Sequence, residues 1–257
     1  MSDMIMNNTA SAGEILRQAL DIGEQLLING AEISRVEDSI RRICVSYGAS
    51  RVDVFSITSS IVVTMYGSAC GSVTQTRRIQ NMSYDLYRLE LLNNLSRRIC
   101  EQHLTPDEIK QQMDAILNAR RYGFFQQLVI YALISASFSL FFGGSGQDAI
   151  FSALIGIILK FVQAGLSRMR INSFIVMLSC AVAGGFFAAF AVHLGLADSM
   201  DKINIGNVML LIPGITLTNS IRDMFSGDTI SGALRFLEAV LLSMTIAFGF
   251  TISGLFF

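Results

Sequence analysis

The run Ile203–Leu242, INIGNVMLLIPGITLTNSIRDMFSGDTISGALRFLEAVLL, begins as an apolar helix suited to a bilayer and breaks at Pro213-Gly214. It resumes with a polar-flecked half, Ile215 to Ser220, before a charged turn containing glycine. Proline removes a backbone donor and its ring strikes the carbonyl one turn back, so the helix is expected to kink or stop there. At membrane depth lipid cannot satisfy the freed backbone groups; protein, water or a solute must do so. Broken helices of this kind can turn the N-terminus of a half-helix toward an anionic group, which makes Pro213 and Gly214 the first candidates for a solute site. A simple packing kink is the competing reading, since Pro and Gly are common in membrane helices.

Composition supports a membrane chain. Of 257 residues, 52% are hydrophobic and only 15% charged, outside the usual soluble range. The net charge of −1 conceals an asymmetry: residues 1–121 hold 13 of the 19 Lys/Arg and 14 of the 20 Asp/Glu. These mixed signs form no basic stripe, which excludes a nucleic-acid partner. Cys44, Cys70, Cys100 and Cys180 show no CxxC pairing and no spacing suited to zinc, so reduced thiols and no metal are expected. No apolar signal-peptide core follows Met1, so nothing is expected to be cleaved.

In chain order, residues 1–10 read as a tail. Ser11 with Glu14 offers a capping box for a first helix that Gly30 would end, and Ser34 with Glu37 has the same spacing for a second, ended by Gly48. Three β-branched segments between 52 and 79 predict a small antiparallel sheet, with Thr74 to Arg78 as a solvated face. A helix from about Tyr84 to Gln102 follows, and Thr105-Pro106-Asp107-Glu108 starts another. Residues 11–121 are thus expected to form an α+β domain placed in the cytosol, and 122–257 a transmembrane helical bundle broken at 213–214. Five spans are expected: 124–142, 149–166, 174–194, about 205–221 and about 233–257. Arg120 and Arg121 precede the first span, Arg168 and Arg170 follow the second, and Arg222 and Arg235 follow the fourth, which places the N-terminus inside and the C-terminus outside. Ala181, Gly184, Gly185 and Ala188 favour close helix packing in the third span.

Two stretches, GAEISRVE (Gly30–Glu37) and PGITLTNSIRDMFSGDTISGALRFLEA (Pro213–Ala239), together with the layout of a soluble part followed by spans, resemble the threonine/serine exporter family. The likeness is to the subunit type carrying the cytosolic domain and the first membrane half. It runs from about Glu14 to the end and implies a bacterial inner-membrane secondary exporter of small carboxylate-bearing metabolites. Founding members move threonine and serine, and some split forms move dicarboxylates such as succinate. Because the sequence stops at Phe257, the resemblance implies a separate small membrane subunit in a hetero- or homo-oligomer.

On the matched motif, the Gly214 backbone and the Thr216, Thr218 and Asn219 side chains are expected to line a carboxylate path. Lys160, within the second span, would favour anions if it faces that path, and snorkelling is its other reading. Arg222, Asp223 and Asp228 are expected in the cytosolic turn as gating or coupling groups, with Asp228 able to cap the last helix. Arg235 and Glu238 sit three apart and could neutralise each other or gate. In the soluble part, Glu32, Ser34, Arg35 and Glu37 match the motif; capping and local ion pairing account for two of the four without a substrate, and direct contact in transport is the other reading. No P-loop appears, so the proton gradient is the expected motor, and no cofactor is expected. Two other functions stay open: a membrane-anchored scaffold or sensor, and a membrane-tethered hydrolase, for which His103 has no nucleophile motif beside it.

Overall fold

A computed structural model describes residues 9–67, 71–80, 82–119, 122–169 and 171–254, with side chains from residue 12 onward. The tail 1–8, the Ser11 side chain, Cys70, Arg120, Arg121, Arg170 and 255–257 lie outside the described residues. The elements are α1 (Thr9–Ile28), α2 (Ile33–Ser46), β1 (Arg51–Ile57), β2 (Ser60–Gly67), β3 (Gly71–Arg78), α3 (Leu86–Gln102), α4 (Pro106–Leu117), α5 (Phe124–Phe141), α6 (Gly146–Arg168), α7 (Ser173–His193), α8 (Met200–Leu211), α9 (Gly214–Phe225) and α10 (Thr229–Ser253). Two compact units result, Met1–Arg120 with Ile215–Leu237, and Arg121–Gly214 with Glu238–Phe257.

In the first unit the strands form an antiparallel meander in the order β1-β2-β3, with Val54 opposite Val63 and Val63 opposite Gln75. Side chains alternate across a strand, so one face collects the buried Val52, Ile61, Val63 and Met65. They join one core with Ile15, Leu16 and Leu20 of α1 and Ile40 and Ile43 of α2. The same alternation corrects the expectation of a solvated face over Thr74–Arg78. Gln75 and Arg77 turn inward, Gln75 donating to the Gly13 carbonyl (2.8 Å) and Arg77 to Asp21 (2.7 Å), while Thr74 meets Thr64 on the outer face (2.9 Å).

Helix ends follow local chemistry in several places. Thr105 and Glu108 form the expected capping box around Pro106, and Gly30 and Gly48 turn the chain with φ of 98° and 99°, a region glycine enters without steric cost. Two expected caps differ. The first helix already starts at Thr9, so Ser11 lies inside it, and α2 starts at Ile33 with Glu32 at its N-cap, leaving Ser34 within the first turn.

In the second unit α5, α6 and α7, and the helix α10 that it shares with the first unit, are each long and apolar enough to cross a membrane. The expected fourth span is divided between α8 and α9, 12 residues each. Ile212 stands between them in an extended conformation (φ −59°, ψ 129°), as a residue before proline must when the helical region is closed to it. The small residues of α7 serve packing: Gly184 lies against Phe250, and Gly185 against Ser253.

Polar groups also pack inside this unit. Ser135 donates to Asn207 (2.9 Å), and Ser152 to the Ser135 carbonyl (3.0 Å), joining α5, α6 and α8. Asp148, buried at the start of α6, accepts from the backbone of Ser145, Asp198 and Ser199, each at 2.9 Å, and so fastens the 194–199 loop. Gly206 makes the α5–α8 approach possible. A Cβ there would lie 2.5 Å from both the Ser135 carbonyl and the Ser152 hydroxyl, so Gly206→Ala is expected to cost about 1–3 kcal/mol through overpacking. Thermal unfolding of the detergent-purified protein would register it as a lowered midpoint; an unchanged midpoint would mean these helices part freely.

Candidate functional site

The two quoted motifs meet within the first unit. Their meeting point is the loop 29–32 between α1 and α2. After the left-handed Gly30, the Ala31 N–H bonds back to the Leu26 carbonyl (3.0 Å), leaving the Gly30 and Ala31 carbonyls for other partners. The partners come from α9 and α10. Asn219 donates its amide to the Gly30 carbonyl (2.8 Å), and Arg235 donates through both terminal nitrogens to the Ala31 carbonyl (3.3 Å each).

Asp223 completes the seam. One oxygen accepts the Ile33 N–H (3.1 Å) and the other pairs with Arg235 (2.9 Å). The first N–H groups of a helix lack partners within it, and a negative charge is favoured at that end. Asp223 therefore caps α2 from 190 residues away. This explains why the expected local cap is absent: Glu32 makes no side-chain cap and instead pairs with Arg222 and, at 3.6 Å, with Arg35. The ion pair Asp223–Arg235 is shielded from solvent, at 0% and 2% side-chain exposure. Arg235 also keeps its Nε buried with no hydrogen-bond partner among the described residues.

Local geometry positions these groups. Gly227 turns the chain at φ 96°, and a Cβ on Gly232 would meet the Ser220 carbonyl at 2.7 Å, so that glycine lets α10 start hard against α9. Asp228 occupies the N-cap position of α10, its carbonyl accepting the Gly232 N–H (2.9 Å). On α9 the buried Thr216, Asn219, Ser220 and Asp223 share one face, as spacings of three and four residues dictate. Thr216 bonds the Tyr84 hydroxyl (2.8 Å).

The seam thus gathers Thr216, Asn219, Arg222, Asp223, Arg235 and Glu32, with Arg35 beside Glu32. Gly214 opens α9 at a point where an added Cβ would meet nothing within 4 Å, and Pro213 precedes it half-buried. Thr218 and Glu238 lie on exposed faces. The expected Arg235–Glu238 pairing is therefore replaced by Arg235–Asp223, because Arg235 points to the buried side of α10 and Glu238 to the outside. Ser34 is half-buried in α2. Lys160 belongs to the second unit, where its Nζ sits 4.9 Å from the Tyr131 ring centre, a cation–π contact. Sequence reasoning passed over Tyr84 and the loop carbonyls, since nothing in their local spacing announces a partner so distant in the chain.

Glu37 accepts the Ser56 N–H (2.7 Å), tying α2 to the end of β1. Burial raises its carboxyl above the usual glutamate value, opposed by that Ser56 bond and reinforced by Asp228. A raised folded-state value means the neutral form is favoured, so this group's contribution to stability is complete below its unfolded value of 4.5 and is lost as pH rises through the folded value. Glu37→Gln keeps the acceptor and should remove that decline. Unfolding midpoints of both proteins across this acid range check it; parallel curves would refute it.

Chemically the seam offers neutral donors and acceptors and one buried guanidinium–carboxylate pair. Among the described residues no cluster of His, Cys, Asp or Glu is placed to hold a metal ion.

Comparison with known proteins adds a family. The model of the ThrE threonine/serine exporter family matches residues 17–256. A protein named "Threonine/serine exporter" from Corynebacterium glutamicum is 22% identical over 91% of this chain and 50% of its own length. The protein named "Probable succinate transporter subunit YjjP" from Escherichia coli is also 22% identical, over 91% of each chain. "Pheromone-regulated membrane protein 10" of Saccharomyces cerevisiae is 23% identical over 94% of this chain and 34% of its own. The chain therefore spans half or less of the C. glutamicum and yeast relatives and nearly all of the E. coli one. No solved structure matches it.

Proposed function

This chain belongs to the threonine/serine exporter family, and from that premise we propose that it is one subunit of a plasma-membrane exporter of small carboxylate-bearing metabolites. The observation that carries this reading is the helix break at Pro213 followed by α9, whose polar face is held by the Gly30–Ile33 segment. In the reading, that arrangement is one state of a cycle. In another state α9 leaves the loop, and the Gly214 backbone with Thr216, Thr218 and Asn219 meets the solute. Arg235 then exchanges Asp223 for a substrate carboxylate, while Arg222, Asp228 and Glu238 take part in the gating movement. The motif residues Glu32, Ser34, Arg35 and Glu37 hold the closed state. Lys160 biases the path toward anions. The proton gradient drives the cycle, and the soluble part faces the cytosol.

A second membrane subunit completes the path in this proposal. Support comes from the E. coli relative, which is named a subunit and matches over nearly its whole length. Cells with and without the gene, loaded with a threonine-containing dipeptide or with succinate, test the function. Loss of the gene should raise the internal pool and slow efflux of at least one of the two; unchanged pools and efflux for both would reject the exporter reading. Reconstituted vesicles test the partner: this chain alone should insert without exporting, and strong efflux from it alone would show that a homo-oligomer suffices.

A further inference from the structure

A cleft of about 400 Å³ lies between α2 and α3 in the first unit, separate from the α9 seam, in the size range of small-molecule sites. Its α2 wall carries Arg35, Asp38 and Arg42, and its α3 wall carries Arg97, Cys100 and Glu101. The α2 charges are already engaged: Arg42 pairs with Asp38 at 2.8 Å, and Arg35 lies 3.6 Å from Glu32. The α3 charges are not. Arg97 and Glu101 sit four residues apart, a spacing at which opposite charges commonly meet on a helix, yet neither makes an ion pair among the described residues. One wall therefore presents a guanidinium and a carboxylate about one helical turn apart, neither in an ion pair among the described residues.

We propose that this cleft binds a small zwitterion of the free α-amino-acid class, its carboxylate on Arg97 and its ammonium on Glu101. Guanidinium–carboxylate pairing is directional and charge-assisted, so Arg97 anchors the acid end. A dicarboxylate would leave Glu101 without an ammonium partner, and a simple amine would leave Arg97 without its ligand. The site is joined to the exporter seam: Arg35 on the rim shares Glu32 with Arg222 of α9, so a bound carboxylate that draws Arg35 into the cleft loosens one side of that contact. Occupancy of the cleft thereby reports the level of a cytosolic amino acid to the helix proposed to move. The binding claim itself does not depend on the exporter reading.

Cys100 lines the cleft and supplies a local readout, while the fully buried Cys44 serves as an internal control. The full chain in detergent is labelled with N-ethylmaleimide, and the rate at each cysteine is followed by peptide mass spectrometry with L-serine, succinate or ethanolamine present. L-Serine should slow labelling of Cys100 saturably, leave Cys44 unchanged, and still protect in Asn219→Ala, where the seam is altered and coupling shifts only the half-protecting concentration. Succinate and ethanolamine should not protect. Arg97→Gln and Glu101→Gln should each raise the half-protecting concentration by about tenfold or more, as expected for losing a charge-assisted contact. If one of these variants labels faster at Cys44 without ligand, its fold is disturbed and the other decides. Labelling of Cys100 that ignores L-serine, protection by succinate equal to that by L-serine, or protection lost in Asn219→Ala would each overturn the proposal.

Discussion

Asp223→Ala is expected to destabilise the first unit by about 3–5 kcal/mol, because it leaves the Arg235 guanidinium charged, buried and without its carboxylate. The Ile33 N–H loses its cap in the same step, a further loss of about 1 kcal/mol. Removing both charges is a different experiment. Asp223→Leu with Arg235→Met replaces the pair by apolar groups of similar volume, and exchanges of this kind are often neutral or stabilising. The double variant should therefore regain most of the stability lost by the single one, yet fail to export, since the proposed cycle uses the pair. Denaturant unfolding of the purified proteins supplies the first comparison and efflux the second. A single variant as stable as the parent would show that Arg235 finds water or another partner there.

Pro213→Ala combined with Gly214→Ala should leave membrane insertion intact and lower efflux by about tenfold or more, the equivalent of roughly 1.4 kcal/mol on the limiting step. With proline gone, Ile212 is free to turn helical and the backbone ladder can run through 212–214. Gly214 adds to the break, because a glycine within a helix costs about 1 kcal/mol relative to alanine. A continuous helix re-aims α9, and Asn219 and Asp223 can no longer hold the Gly30 carbonyl and the Ile33 N–H. Protease protection and surface labelling report insertion separately from transport. Failure to insert would make the break a folding element, and full efflux would remove it from the mechanism.

What could be read in advance was what short range determines. Proline acts on its neighbours whatever surrounds it, so an interruption at Pro213 was visible, although Gly214, read as part of the break, opens the next helix; the Thr105 cap and the turns at Gly30 and Gly48 were visible too. Period-two patterning marked the three strands, although only their packing on α1 shows that Arg77 faces Asp21 and not solvent. The seam was legible as residues but not as contacts. Arg235 has a carboxylate three positions away, and local spacing pairs it with Glu238; burial on the opposite side of the helix sends it to Asp223, 12 residues back, and to Ala31, 204 residues away. The same distance hid the cap of α2, because a motif such as Ser34…Glu37 carries no sign that an aspartate from elsewhere already fills its place.

A reversible cross-link between Glu32→Cys and Arg222→Cys, made in the full chain with a reducible bifunctional thiosulfonate, would hold α9 to the loop in the state described. If export requires α9 to leave Gly30–Ile33, efflux should stop on cross-linking, return on reduction, and be unaffected by the same treatment of the parent protein. Efflux that continues with α9 fastened would contradict the account.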